Sequence, residues 1–532
     1  MKHVHSPYHS QHKSQLRLFQ SATFVTLFSV AERGLGFLYR VVLSRLLGAE
    51  GVGLYQVALS LFAVFLTLGT GGIPITVSRL ICKSKAERAC RGESEAVGAG
   101  VFLCLLLTLP VCILLICFPN VVGFLFTDKR GIPVFRILLI GLVFSSLYAV
   151  IRGSFWGNKR FLTPSVLELL EECVMVIAGV LLLSNVTSIQ QGVNRAAWAV
   201  VISYLFSFSA SALCFFLFKG KLGNPTKQLK PLFNATLPIT SVRACGSLIS
   251  SAIAVLLPAM LVRAGASESE ALTVFGVVSG MAIPVLFIPA TIIGSLSLVL
   301  VPQLSEDFYA KKTQQLNKNL SRGLIVSVLV SLFLIPFFYA LGDELGMLAF
   351  SEQLAGEYIR KGSVVLLPMS VTMISTSMLN SMGFEKQTFL HYFIGQAAQL
   401  LCILLLPSVC GGYAYVLGMG AGFVLNGVFN LVLLGKKCPN LYREMVKQKG
   451  HVRVHSLLVA VFLVLPLCLL GDLLVAIFFR FCGAFLSVSL TVLLLAVCTL
   501  GIWLAIGIIP AKSKNKKRKF IEKKCKIPLS SP

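Results

Sequence analysis

Apolar runs long enough to cross a bilayer, which takes about 20 residues of helix, recur from one end of this 532-residue chain to the other. Backbone in hydrocarbon must satisfy its own hydrogen bonds, so runs of this kind are helices. The chain is therefore expected to be an all-α polytopic membrane protein with about 14 transmembrane helices. We read the spans at 18–42, 54–78, 97–119, 132–152, 164–184, 196–218, 233–262, 271–300, 321–341, 362–380, 387–408, 411–435, 456–471 and 484–510. The thirteenth is short and the seventh and eighth are long, which predicts tilt or broken helices there. Only 13% of residues are charged, about half the usual fraction of soluble domains. No stretch is long and polar enough for a separate soluble domain. No small-residue cleavage site follows a short apolar core, so the first span reads as retained.

The net charge of +26 raises the question of nucleic acid, because basic patches neutralise phosphates. The distribution argues against it. With the N-terminus placed in the cytoplasm, inside segments hold 35 of the 47 Lys and Arg residues and outside loops hold 8. That is the positive-inside pattern, and it predicts two cytoplasmic termini and an even number of spans. The C-terminal "KSKNKKRKFIEKKCK" is a polybasic tail suited to anionic membrane lipids. The 15 cysteines include no CxxC pair and lie mostly in apolar runs; neither a disulfide framework nor a zinc site is expected. The N-terminal "HVHSPYHSQH" reads as an unfolded tail.

Two short motifs recur. "LSRLLGAEGVGLYQVALS" after the first span resembles "LVRAGASESEALTVFGVVS" after the seventh, and "FWGNKRFL" after the fourth resembles "SMGFEKQTFL" after the tenth. They suggest two six-helix lobes in parallel orientation around a central cavity. The expected organisation is a cytoplasmic N-terminal tail over 1–17, a first lobe over 18–218, a cytoplasmic linker over 219–232 and a second lobe over 233–435. A basic cytoplasmic loop over 436–455, two further spans over 456–510 and the tail over 511–532 complete it.

Charges inside spans carry the functional argument. Arg33 and Arg40 are two helical turns apart, on one face of span one. A lipid-facing Arg at mid-bilayer costs about 2.5–3.5 kcal/mol, so these side chains are expected to face a cavity. Span seven carries a second stripe at helical spacing: Thr236, Thr240, Arg243, Ser247 and Ser250. Two such stripes lining one aqueous cavity would select anions. The alternative is that Glu32 or Glu172 pairs with an Arg and stabilises packing. Glu172 is otherwise the candidate for proton coupling, with Glu168 and Glu171 nearer the cytoplasmic interface. Pro74, Pro238, Pro284 and Pro289 interrupt spans two, seven and eight and are candidate hinges. Asn380, Gln396, Gln399, Asn426 and Asn430 suit either sugar hydroxyls or interhelical hydrogen bonds.

Absences narrow the field. No G-x-x-x-x-G-K-[ST] phosphate loop occurs, so ATP drive is not expected. The four Asp residues (128, 307, 343, 472) form no D-x-D, which a metal-dependent glycosyltransferase would use to hold its metal and nucleotide phosphates. Catalysis, a bound metal and a cofactor are not expected.

The strings "GFLYRVVLSRLLGAEGVGLYQ", "GGIPITVSRL", "LPIT" and "GVVSGMAIPVLFIPATIIGSLSLVLVPQLSEDF" resemble the stage V sporulation protein B group of polysaccharide transporters. That group lies within the multidrug/oligosaccharidyl-lipid/polysaccharide (MOP) flippase superfamily, which also holds lipid II flippases and cationic-drug exporters. The resemblance covers roughly 18–510. It implies alternating access and an undecaprenyl-pyrophosphate-linked sugar as substrate, moved across a bacterial cytoplasmic membrane for peptidoglycan or another cell-surface polysaccharide. Arg33 and Arg40 match the basic positions of the family's first span, Arg79 the basic end of its second, and Glu172 the acid of its fifth. The acid late in span seven is missing from "SAIAVLLPAM". With Arg243, these arginines are the candidate pyrophosphate ligands. Two other readings stand beside this one: a cation-coupled multidrug exporter, and a non-transporting scaffold recruiting cell-wall synthesis enzymes through Lys436–Arg453 and the tail.

Overall fold

The computed structural model describes residues 7–87, 91–118, 120–442, 454–481 and 484–505. The basic loop is thus described in part, and the polybasic tail lies outside the described residues. All regular structure among the described residues is helical. Among the described residues, twelve helices are long and apolar enough to cross a membrane. The expected count of about 14 differs for local reasons: spans one and two merge, span eight divides in two, the charged Leu162–Leu183 is not among the twelve, and the last span contributes only the shorter Ser487–Gly501. Spans one and two lie in a single helix, α1 (Pro7–Thr70), broken only at Gly48, whose φ of 68° and ψ of 177° are not helical. Glycine takes that conformation at little cost, so the expected loop shrinks to one residue. The helix also begins at Pro7, where an unfolded tail was expected.

Two compact units make up the chain. The first comprises Met1–Val285, Gly346–Ala355 and Gln399–Gly418. After α1 come α2 (Ile73–Ala86), α3 (Gly92–Cys117), the short α4 (Asn120–Gly123), α5 (Gly131–Gly157), α6 (Leu162–Leu183), α7 (Ile189–Leu217), α8 (Thr226–Arg263) and α9 (Glu268–Phe275). A capping box starts α9: the Ser267 hydroxyl accepts from the Glu270 N–H while the Glu270 carboxylate accepts from the Ser267 N–H at 2.8 Å. A π-helical turn (Gly276–Ala282) and α10 (Ile283–Leu286) follow. α1 packs on α5, α6, α8 and α9, and α5 on α2, α3 and α7. Its core gathers Val77, Ile81, Val97, Leu103, Val150 and Phe155.

The second unit comprises Leu286–Leu345, Gly356–Ala398 and Met419–Pro532. Its elements include α11 (Ile288–Tyr309), α12 (Thr313–Ala340), α13 (Gly342–Leu345), α14 (Gln353–Gly362), α15 (Leu366–Ser381), α16 (Glu385–Leu405) and α18 (Tyr413–Lys437), with α14, α16 and α18 divided between the units and the short α17 (Pro407–Cys410) falling in the first. The last two helices are α19 (Val454–Phe481) and α20 (Ala484–Ala505). α19 packs on α12, with Trp503 of α20 edge-on to Phe333 at 5.6 Å. Arg360 joins this group electrostatically, donating to Asp343 at 3.0 Å and to Asp472 of α19 at 2.6 Å.

Candidate functional site

Between α1, α5, α6 and α7 of the first unit lies a cavity of about 220 Å³, lined by Glu32, Tyr148, Arg152, Glu168, Glu171, Glu172 and Tyr204 among others. The spacing of 168, 171 and 172 puts three carboxylates on one face of α6. Arg152 answers one of them, its Nη1 lying 2.9 Å from Glu168 Oε1, and its guanidinium lies over the rings of Tyr148 and Trp156 at 5.6 and 5.2 Å. Glu172 Oε2 is buried without a hydrogen-bond partner. Its electrostatic neighbours are Glu32 and Arg40, and both its carboxylate oxygens lie 3.9 Å from the space that a side chain at Gly36 would take. Four glutamates and one arginine thus share a small chamber inside a span bundle. Among the described residues, no group of three or more His, Cys, Asp or Glu side chains is placed to hold a metal ion.

The four predicted arginines, Arg33, Arg40, Arg79 and Arg243, are all exposed, and none makes a salt bridge among the described residues. Arg243 is engaged: its Nη1 donates to the Gly71 carbonyl at 2.8 Å. Most of the rest of its stripe is taken up in packing, since Thr236 and Thr240 are buried against Gly71 and Gly72 and the Ser247 and Thr67 hydroxyls are 2.7 Å apart. Span seven therefore turns Thr236, Thr240 and Ser247 toward the end of α1 and the α1–α2 break, while Arg243 and Ser250 stay exposed. Glu32 joins the acidic chamber and makes no salt bridge. Of the prolines, Pro74 follows the break between α1 and α2, while Pro284 and Pro289 flank the one between α10 and α11. Pro238 sits inside the unbroken α8.

At the Gly48 end of α1 the packing is tighter. A Cβ on Gly53 would lie 1.9 Å from the Leu272 carbonyl oxygen, and one on Gly276 would lie 2.1 Å from that of Ala49. Arg45 donates from Nε to Ala349 at 3.0 Å and from Nη2 to the Leu348 carbonyl, clasping segment 346–355 to α1. Glu50 meets Arg130 at 2.5 Å, and Asp128 meets the same guanidinium at 2.6 Å. Both carboxylates hold the Arg130 pKa above its ordinary value.

In the second unit the amides serve interhelical bonding. Asn430 Nδ2 donates to Thr376 Oγ1 at 2.9 Å, and its Oδ1 lies 2.8 Å from His391 Nδ1. Asn380 Oδ1 accepts from Thr388 at 2.7 Å. Arg152 is the site residue that reading the sequence missed. It ends the span read at 132–152, whereas α5 continues to Gly157. The three-acid face of α6 was the available signal that a cation must lie opposite.

The described residues have the architecture of a polytopic membrane protein: helices long and apolar enough to cross a bilayer, with ionisable groups inside them and breaks at Gly and Pro. The chain belongs to the polysaccharide biosynthesis protein family, whose model matches residues 18–308. It is 24% identical to stage V sporulation protein B of Bacillus subtilis (strain 168) over 427 residues, covering 76% of this chain and 81% of that one. It is 20% identical to the lipid II flippase MurJ of the same organism over 472 residues, 81% of this chain and 85% of the other. Among solved structures, a lipid II flippase MurJ in an inward closed conformation superposes with a TM-score of 0.63 at 14% identity, covering 85% of this chain and 99% of that one. An inward-facing multidrug resistance MATE family transporter does so with a TM-score of 0.62 at 14% identity, over 77% and 96%.

Proposed function

We propose that this chain is a flippase, carrying an anionic polyprenyl-pyrophosphate-linked saccharide from the inner to the outer leaflet by alternating access between two six-span lobes, 18–218 and 233–435. The observation that carries the reading is the pair Arg33 and Arg40: two exposed cations in a membrane span that make no salt bridge among the described residues, Glu172 being the carboxylate nearest Arg40 in effect. Holding an unpaired Arg there costs about 2.5–3.5 kcal/mol, a cost that a pyrophosphate ligand would offset. The family, and a relative named for flipping lipid II, support the same reading. Arg79 is a further phosphate contact, and Arg243 fixes the α1–α2 break against which the lobes would rock, with Pro74 beside it. Glu172 is the coupling residue, exchanging a proton within the acidic chamber. An inside-negative potential adds about 2.3 kcal/mol per charge per 100 mV to outward movement of the anion.

Both termini are assigned to the cytoplasm. Lys159, Lys219 and Lys311 each take the left-handed conformation just past a helix end, with φ of 58°, 60° and 57°. All three ends are cytoplasmic by the alternation of loops, whereas the corresponding outer end after α8 uses Gly265. A lysine there forgoes glycine's freedom and places a cation near helix carbonyls and anionic headgroups.

A second reading, export of cationic compounds, has one observation in its favour: the four-glutamate chamber. At about 220 Å³ it lies below the roughly 300–1,000 Å³ of ligand pockets and fits an ion better than a drug. Reconstitution in vesicles separates the two. Wild type should flip a fluorescent polyprenyl-pyrophosphate saccharide, Arg33→Ala/Arg40→Ala should do so at least about tenfold more slowly, and Glu172→Gln should lose its response to a pH gradient but keep its response to voltage. An unimpaired double arginine variant defeats the anion site; movement of a cationic dye alone favours the exporter.

A further inference from the structure

A second cavity of the first unit lies at the opposite chemical extreme from the acidic chamber. About 290 Å³ in volume, it is bounded by the start of α3, the end of α5 and the loop that follows α7. Its charged lining is Glu93, Arg160, Lys219 and Lys221. Glu93 is already engaged, accepting from Asn158 Nδ2 at 2.5 Å and lying 3.8 Å from Lys85 Nζ. Arg160, Lys219 and Lys221 make no salt bridge among the described residues, and all three are exposed. Three cations therefore share one volume with a single carboxylate, and that one is bonded to Asn158 and set beside Lys85.

The cavity is built rather than incidental. The Arg160 guanidinium lies 4.0 Å over the Phe218 ring, and Phe218 meets Phe155 edge-on at 6.2 Å. Phe155 and Phe215 form a buried floor continuous with the unit's core. The basic loop is tied down by the Gly223 N–H, which donates to the Ser94 carbonyl at 2.8 Å. Lys219 is fixed in direction by its backbone: its N–H donates to the Phe216 carbonyl and the next N–H to that of Phe215, both at 2.9 Å.

The surroundings identify the ligand. Immediately before the basic loop, α7 turns Leu213, Phe216 and Leu217 outward, each more than half exposed. A ligand seated among the cations thus has an apolar face running away from it along the same helix. We propose that this cavity is a headgroup site for an anionic phospholipid, its phosphate held by Arg160, Lys219 and Lys221 and its acyl chains lying along α7. Basic pockets between membrane helices on the cytoplasmic side take phosphate headgroups in this way. The site is separate from the arginines of α1 and from the polybasic tail, and it does not depend on what the protein transports.

Native mass spectrometry of the full-length protein in detergent tests it, with phosphatidylglycerol, phosphatidylcholine and inorganic phosphate as probes. Wild type should retain phosphatidylglycerol over phosphatidylcholine. Arg160→Ala/Lys219→Gly/Lys221→Ala should bind it about 100-fold more weakly, from roughly 1 kcal/mol per basic residue. Lys219→Gly alone suits the left-handed backbone, so it keeps the fold and should weaken binding about fivefold. A charge-matched control, Lys159→Gly/Lys227→Ala/Lys230→Ala, removes three cations that do not line the cavity and should bind like wild type. Equal losses in the two triple variants would reduce the effect to net charge and overturn the site. Displacement of the lipid by inorganic phosphate at equal concentration would make it a site for a soluble anion instead.

Discussion

Arg152 sits near the end of α5 with Glu168 beside it and two aromatic rings beneath its guanidinium. The two side chains are 28% and 26% exposed, so the pair is neither a surface bridge of negligible weight nor a dry one. Removing one partner of a fully buried pair costs about 3–5 kcal/mol, and partial solvation reduces this to about 1–2 kcal/mol. Arg152→Ala should therefore destabilise the detergent-solubilised protein by about that much in thermal unfolding. Adding Glu168→Ala should recover part of the loss, because the carboxylate bonded to Arg152 is gone while Glu32, Glu171 and Glu172 remain. If the two single losses simply add in the double variant, the pair is not coupled. This contact was not legible in the sequence, since Arg152 and Glu168 are brought together by a turn in which the Lys159 and Arg160 N–H groups donate to the Trp156 and Phe155 carbonyls. The acids of α6 were legible from their spacing alone, and Arg33 and Arg40 from the expense of charge in lipid.

At the scale of elements, the apolar runs fixed where helices run but not where they stop. Nothing in "LLGAEGVG" announces that the break between the first two spans is a single residue. Its placement follows from the left-handed backbone at Gly48 and from the Glu50–Arg130 pair that anchors the next turn. The internal repeat needs a similar adjustment. Its first motif pairs Gly48 with Gly265, and both have positive φ. In the second, the left-handed counterpart of Gly383 is Lys159, two residues beyond the Gly157 suggested by the letters. Gly157 stays helical and packs on Ile81. The crossing of α1 with α9 and its π-helical turn belongs to this scale as well. A methyl group at Gly53 would overlap backbone, which cannot yield as a flexible side chain can. Gly53→Ala should lower the unfolding temperature and slow flipping. Gly34→Ala, which meets nothing within 4 Å, should be neutral or stabilise by about 0.5–1 kcal/mol. Equal behaviour of the two variants would remove the case for a tight crossing.

For the whole molecule, the alternating access proposed above between 18–218 and 233–435 predicts that this crossing comes apart once per cycle. A Cβ on Gly280 would lie 2.3 Å from Val52 Cγ1, which brings the two Cβ atoms close to disulfide separation. Val52→Cys/Gly280→Cys should stop transport on oxidation and regain it on reduction, measured in the same vesicles, while each single variant stays active. Full activity in the oxidised double variant would mean that the α1–α9 contact is never released. The two helices appended after α18 pose a different problem, because a uniformly apolar helix has little to fix its depth or rotation in lipid. One residue changes its height by about 1.5 Å and turns its face by about 100°. Asp472 is the sole carboxylate of α19 and α20, and its bond to Arg360 allows one setting of both. The ion pair thus serves the closing helices as a register mark, read when the chain inserts and kept afterwards.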